Sequence, residues 1–536
     1  MTDSPPLTAE INDLLQAVGP SPSELGVLEP LSDQPPTLSS LAASLKLPLN
    51  CSGGSRPHIG PDGRPPAGQW AARDELSSPP ELVWAGLSAL LKSLELKPGR
   101  RPNVTAALVD TLVAQTEQTM ATLLDAIVHH QAFSSLERIW RSLWFLIKSV
   151  NFEQNIIIEI LNVSANDLLE DFEDSPEIGR AGLFRIAYIS EYGQFGGQPY
   201  AAIIGAYELG HGPRDMKLLE YTSMVGATVH APFLTNVGPA FFGLRTFQEL
   251  DNVPDLKGVF EEARFTRFRS LRDNEDSRYL GLCLPGFLLR APWSYRSGGL
   301  GDFDYEERQH DRSDFCWGLP AFALAGRLAD SFANFRWCVN IIGEKGGGLV
   351  KGLESIDYAS MGRTQARIPT ECLIAEPTEY VLSKEGLISM VTRRQTMDAC
   401  FFSANTPLKP KRYNAFDGGQ EATLNHYLST QLPYMMIVNR LAHYLKVLQR
   451  ENIGSWRERT TVESELNRWI NQYVTEMDNP TPAIRGRRPL RFAQVDVREV
   501  EGQPGWYKVN LTVRPHFKYM GATFSLSVSG PAEKME

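Results

Sequence analysis

Apolar residues recur at three- and four-residue steps along Val104, Leu108, Leu112, Met120, Leu123 and Ile127, one stripe that predicts a long helix starting near Asn103. A second helix is expected next. Ser134 with Glu137 reads as a capping box at its start, and Leu136, Ile139, Trp140, Leu143, Trp144 and Ile147 supply the face to be buried. After Val150 the pattern mixes β-branched runs with helical stretches. Strands are predicted over Asn155–Val163, Tyr200–Tyr207, Arg336–Ile342, Thr370–Ala375, Leu387–Thr392 and Cys400–Ala404, and helices over Met216–Val229 and Ala321–Phe335. The helical pattern from Gly419 to Asn452 contains Pro433, which must kink or divide it, and Val462–Glu476 predicts another helix.

The clearest strand signal comes last. Arg491–Val500, the turn Glu501–Gly505 and Trp506–Arg514 predict a hairpin in which Ala493, Val495 and Val497 meet Tyr507, Val509, Leu511 and Val513. A third strand, Ala522–Ser529, sets Phe524, Leu526 and Val528 on one face and small hydroxyl residues on the other. Three strands at the end of a chain leave open edges, rows of unpaired N–H and C=O groups that a protein either blocks or uses to pair with another chain.

Proline changes the reading at the other end. Fifteen of the 36 prolines fall in the first 100 residues, which marks residues 1–101 as a loosely structured arm with short helical pieces at Glu10–Val18 and Pro80–Leu96. The remainder divides into a helical hairpin at 102–150, a mixed α/β core at 151–415, long helices at 416–480 and terminal strands at 481–536. The fold class expected is mixed α+β. A net charge of −10 argues against a nucleic-acid binder built on a basic surface. The first residues lack the basic and apolar regions of a signal peptide, and no run of about 18 apolar residues suggests a membrane span, so a cytoplasmic location is expected.

Catalytic signatures are weak throughout. The six cysteines form no C-x-x-C pair and read as reduced, mostly buried thiols; His129 and His130 are adjacent and point to different helix faces, so they make no metal site. The Gly343–Gly352 loop follows a predicted strand but lacks the phosphate-loop spacing, and reads as a structural turn. Arg267, Arg269, Arg272 and Arg278 interleave with Asp273, Glu275 and Asp276. Arginines this close hold carboxylates ionised, which suits an ion-pair cluster inside the fold or across an interface better than general acid catalysis. No catalytic residue, cofactor or metal is expected.

Several segments carry a family resemblance: Tyr192–Pro199, His230–Phe233, Ser270–Leu282, Phe335–Cys338, Leu432–Arg450, Pro504–Tyr507 and Arg514–Gly521. In unbroken order from about Asn103 to Gly530 the chain resembles the large subunit of the type VI secretion contractile sheath. The resemblance implies a non-enzymatic sheath protomer with a core shared with phage tail sheaths. It would pair with a small sheath subunit, polymerise with other protomers around a tube of hexameric rings on a baseplate, and contract to drive the tube outward. It further implies that the terminal strands, with Val495, Val497, Val509, Leu511, Val513, Phe524, Leu526 and Val528, pair with those of neighbouring protomers. Ile11, Leu14 and Leu15 resemble a short helix that a recycling AAA+ ATPase grips, or else staple the small subunit. Two alternatives stay open: an enzyme binding a phosphorylated ligand through Gly343–Gly352, and a sheath paralogue that does not contract.

Overall fold

The computed structural model describes residues 106–516 except 295–304, 310–313, 356, 361–362, 367–368, 394–395, 414–418, 452–457, 476, 478–479 and 500–506. The proline-rich arm and the strand expected at Ala522–Ser529 lie outside the described residues. Among the described residues two helices come first, α1 (Ala106–Val128) and α2 (Gln131–Ser149). The cap of α2 lies one turn before the expected box: His130 accepts a hydrogen bond from the Ala132 N–H through Nδ1 (3.3 Å), and Ser134 donates to the Gln131 carbonyl from inside the helix. Glu137 is thereby released for ion pairing.

A six-stranded sheet forms the centre, in the order β1 (Ile203–Leu209), β2 (Phe233–Val237), β3 (Leu280–Leu284), β9 (Leu387–Thr392), β10 (Ala399–Phe401) and β6 (Leu349–Val350). The first four run parallel, while β10 is antiparallel to both its neighbours. Parallel strands need helical crossovers, which cover both sheet faces. Here α4 (Pro213–Val229) lies in the core that takes Phe233, Val237, Leu280, Leu282, Leu284 and Leu387. The alternate residues Leu234, Cys283, Ile388 and Met390 enter a second core with α7 (Pro320–Phe335). The two intermediate strands β2 and β3 are buried on both sides, so their residues show no apolar–polar alternation. Gly281 marks the closest packing, since a Cβ there would meet Leu234 Cδ2 at 2.4 Å.

Three expected strands are absent. Asn155–Val163 holds a left-handed Asn155 followed by extended chain without ladder partners. Arg336–Ile342 is the turn that ends α7, with Arg336 left-handed at φ 67°. Thr370–Ala375 contributes only an isolated bridge from Thr370 to Phe287. Pro433 divides the long helical pattern: α9 (Gly419–Ser429) stops before it, and α10 (Leu432–Glu451) carries it at the start, where its missing N–H costs nothing.

Two further contacts hold α2 in place. Leu146 of α2 and its C-cap Val150 pack on Leu319, Phe322 and Ala325 at the start of α7. Arg290 clamps α2 from the side, donating to Glu137 (2.7 Å) and Glu307 (2.6 Å), while Arg141 also reaches Glu137 (2.6 Å). Burial alone would lower the Arg290 pKa, but its bonds to the two carboxylates outweigh this and push it up.

Candidate assembly interface

The C-terminal hairpin pairs β11 (Leu490–Glu499) with β12 (Tyr507–Pro515), with Val495 opposite Leu511 and Val497 opposite Val509. Alternation places one face of β11 inward: Val495 and Val497 are 0% exposed and pack with Leu466 and Ile470 of α11 (Arg459–Asn471) and with Tyr434, Ile437 and Leu441 of α10. Val509, Leu511 and Val513 are half-buried against the same core. These side chains are therefore held by their own chain, and any pairing with another chain must go through the backbone.

The two edges of the hairpin differ. On β11, the Val495 N–H donates to Asn467 Oδ1 (2.9 Å) and the Val495 carbonyl accepts from Asn467 Nδ2 (2.8 Å). Arg459 donates to the Val497 carbonyl (3.1 Å), and Leu490 exchanges bonds with Tyr473 and Thr475. A side-chain amide thus occupies the place of a neighbouring strand. Opposed residues in an antiparallel ladder alternate between pairs that exchange both bonds and pairs whose groups point outward. Since Val495 points outward to Asn467, its opposite Leu511 points outward too, along the far edge of β12. No strand among the described residues pairs with that edge.

The arginine-rich segment separates into individual anchors. Arg269 donates to the carbonyls of Phe260 (2.6 Å) and Glu262 (2.8 Å). Arg272 is buried; it pairs with Glu385 and donates to the carbonyls of Pro407 (3.0 Å) and Lys384 (2.8 Å). Glu275 pairs with Lys411 and with Arg278 (2.6 Å), and the Lys411 hydrogen bond leads the causes that lower its pKa. Arg267 and Asp273 are exposed, and Asp276 is half-buried with its N–H bonded to Asn274 Oδ1 (3.1 Å). Phe524, Leu526, Val528, Ile11, Leu14 and Leu15 lie outside the described residues.

The α1–α2 pair departs most from expectation. Leu136, Ile139, Trp140 and Trp144, read as a buried face, are exposed, with Trp140 at 58% and Trp144 at 56%. Met120, Leu123 and Ile127 of α1 are exposed as well, and Ser142 and Leu146 are the buried residues of α2, with Leu143 and Phe145 partly buried beside them. The period was legible, but periodicity does not say whether the covering surface belongs to the same chain.

Chemistry is not visible at the glycine-rich loop. A turn, not a strand, precedes it, and several of its amides are committed: Gly343 donates to Phe401 (2.7 Å), and Gly346 and Gly348 donate back to Gly343. The backbone is packed closely here, since a Cβ on Gly347 would lie 2.1 Å from the Asn340 carbonyl oxygen. Among the described residues no group of three or more His, Cys, Asp or Glu side chains could hold a metal ion, and the described cysteines are all free. No helix among the described residues is long and apolar enough to cross a membrane.

Among the described residues one hairpin edge is sealed, the other has no strand partner, and an apolar helix face is exposed, an arrangement suited to assembly. The N-terminal domain of the EvpB/VC_A0108 tail sheath matches residues 110–407, and the gpW/gp25-like domain of the same tail sheath matches residues 421–531. The chain is 34% identical over 425 residues to the type VI secretion system sheath protein TssC1 of Pseudomonas aeruginosa, covering 78% of this chain and 84% of that protein. A chain of the anti-feeding prophage baseplate, solved by cryo-EM, overlays with a TM-score of 0.34 and 8% identity over 70% of this chain and 84% of that one, a likeness too slight to bear on the fold. The chain belongs to the EvpB/VC_A0108 family of tail sheath proteins. It is a structural large subunit of a type VI secretion contractile sheath.

Proposed function

We propose that this chain is a non-catalytic sheath protomer of the cytoplasm that binds a small sheath subunit through the exposed apolar face of α1–α2 and links to neighbouring protomers by strand addition at the open edge of β12. The lattice it builds surrounds a hexameric inner tube on a baseplate, and contraction propels the tube with its effectors. Segments 102–150, 151–415, 416–480 and 481–536 would then serve in turn as partner clasp, sheath core, supporting helices and linking ribbon. In the arm at 1–101, Ile11, Leu14 and Leu15 are the proposed grip for a recycling AAA+ ATPase.

The observation that carries this reading is the asymmetry of the hairpin edges. A strand added to β12 would make about five backbone hydrogen bonds at roughly 1 kcal/mol each, several kcal/mol per joint before side-chain burial. Such joints hold while bulkier interfaces repack, so the work of contraction comes from interface energy, not from hydrolysis in this chain. Leu511→Pro tests it. Its N–H points away from β11, so proline removes no hairpin bond yet blocks the open edge. Co-expressed with the small subunit, this variant should give folded heterodimers and no tubes by negative-stain electron microscopy. Tubes at wild-type abundance would refute the strand-addition account.

A further inference from the structure

At the root of the hairpin lies an open cleft of about 800 Å³, between the end of α11 and the short helix α12 (Pro482–Arg487). Its lining has two characters. Val474, Ile484 and the exposed Met477 are apolar, whereas Arg487 and Arg488 are exposed cations with no ion pair among the described residues. Thr475 also lines it, only 4% exposed, and its Oγ1 has no hydrogen-bond partner among the described residues. A buried hydroxyl without a partner is uncommon and calls for an outside acceptor or donor.

Further cations stand at the base of the hairpin. Arg485 and Arg491 stand nearby, and together with burial, the leading cause, their charge lowers the pKa of His516. This concentration of cations occurs in a chain whose net charge is −10. Guanidinium groups recognise carboxylates through paired N–H bonds, and an apolar floor admits a side chain between them.

We infer that this cleft is a docking site for an acidic peptide segment of another protein chain, with an apolar residue set between its carboxylates. The carboxylates meet Arg487 and Arg488, the apolar residue covers Val474, Ile484 and Met477, and Thr475 Oγ1 donates to an oxygen of the segment. The apolar half of the lining disfavours a nucleic-acid backbone, which would leave it uncovered. Because Leu490 of β11 bonds to Tyr473 and Thr475 beside the cleft, an occupant would also brace the root of the ribbon.

The test uses the full chain, alone or with the small subunit, and fluorescence anisotropy of a labelled glutamate–leucine peptide, with its lysine–leucine counterpart as control. The acidic peptide should bind saturably and the basic one not. Arg487→Gln with Arg488→Gln should weaken binding roughly tenfold or more, and Thr475→Val by a smaller factor. Circular dichroism of each variant should match the parent, as the two arginines are exposed. Absence of binding to the parent chain, equal binding of both peptides, or undiminished binding by the folded double variant would each overturn the inference. Displacement of the peptide by equimolar inorganic phosphate or single-stranded DNA would overturn it as well, by revealing a general anion site.

Discussion

Replacing Asn467 should loosen one edge of the terminal hairpin without touching its strands. The amide makes two bonds to Val495, at 2.9 and 2.8 Å, and its Nδ2 also donates to the Glu463 carbonyl of the same helix at 2.9 Å. Asn467→Leu keeps the volume but leaves the N–H and C=O of Val495 unpaired beside a side chain that is 0% exposed. Each lost bond is worth about 1 kcal/mol, and a buried group left unsatisfied costs about 1–3 kcal/mol, so a loss of about 2–4 kcal/mol follows. Asn467→Asp should cost at least as much. It keeps an acceptor for the Val495 N–H but turns an anionic oxygen toward the Val495 carbonyl. Urea unfolding reads the total, and amide hydrogen exchange locates it, with faster exchange expected first at Val495. The same opening exposes a second strand edge, so the Leu variant should also self-associate more readily as its concentration rises. An unchanged urea midpoint together with unchanged exchange at Val495 would refute the claim that this side chain stands in for a strand.

Two further outcomes are expected. Arg272→Met strands the Glu385 carboxylate and the carbonyls of Lys384 and Pro407, and should cost about 3–5 kcal/mol in urea unfolding, with Arg272→Lys recovering part; a loss below about 1 kcal/mol would contradict the anchoring role. His443 bonds through Nε2 to the Val229 carbonyl (2.8 Å), and burial, aided by the nearby His230 and Arg440 charges, pushes its pKa down to about 4. The unfolded chain takes up that proton first, so stability on the order of 3 kcal/mol is lost as pH falls from about 6.5 to 4. His443→Gln, which can still donate to the carbonyl, should flatten the urea midpoint across that window, and an identical pH profile would refute the assignment.

Much of this was legible in the pattern of residues. The hairpin alternation along Ala493, Val495 and Val497 holds in the register found, because one face of β11 is buried and the other exposed. The division at Pro433 follows from its missing N–H. What stayed hidden had no local signal. Strands β2 and β3 are buried on both faces, so Leu234 and Phe233 look alike in sequence although they enter different cores. Asn467 lies on a helix 28 residues before Val495, and nothing in its neighbourhood marks it as an edge guard. The exposed tryptophans of α2 have the spacing of any buried face, since amphipathicity reports that a stripe will be covered and not by which chain. The cleft beside Thr475 has no local signal either, since Val474 and Arg487 stand 13 residues apart in the sequence and come together only in the fold.

The ladder between β11 and β12 has a mechanical consequence. Its hydrogen bonds run across the strands, so a pull along the ribbon's length loads them together in shear instead of peeling them one at a time. Val495 and Val497, locked in the helical core, oppose sliding by even one residue, because that step would swing both to the solvent side. The ribbon is therefore stiff along its own axis, the direction in which tension handed from one chain to the next would travel.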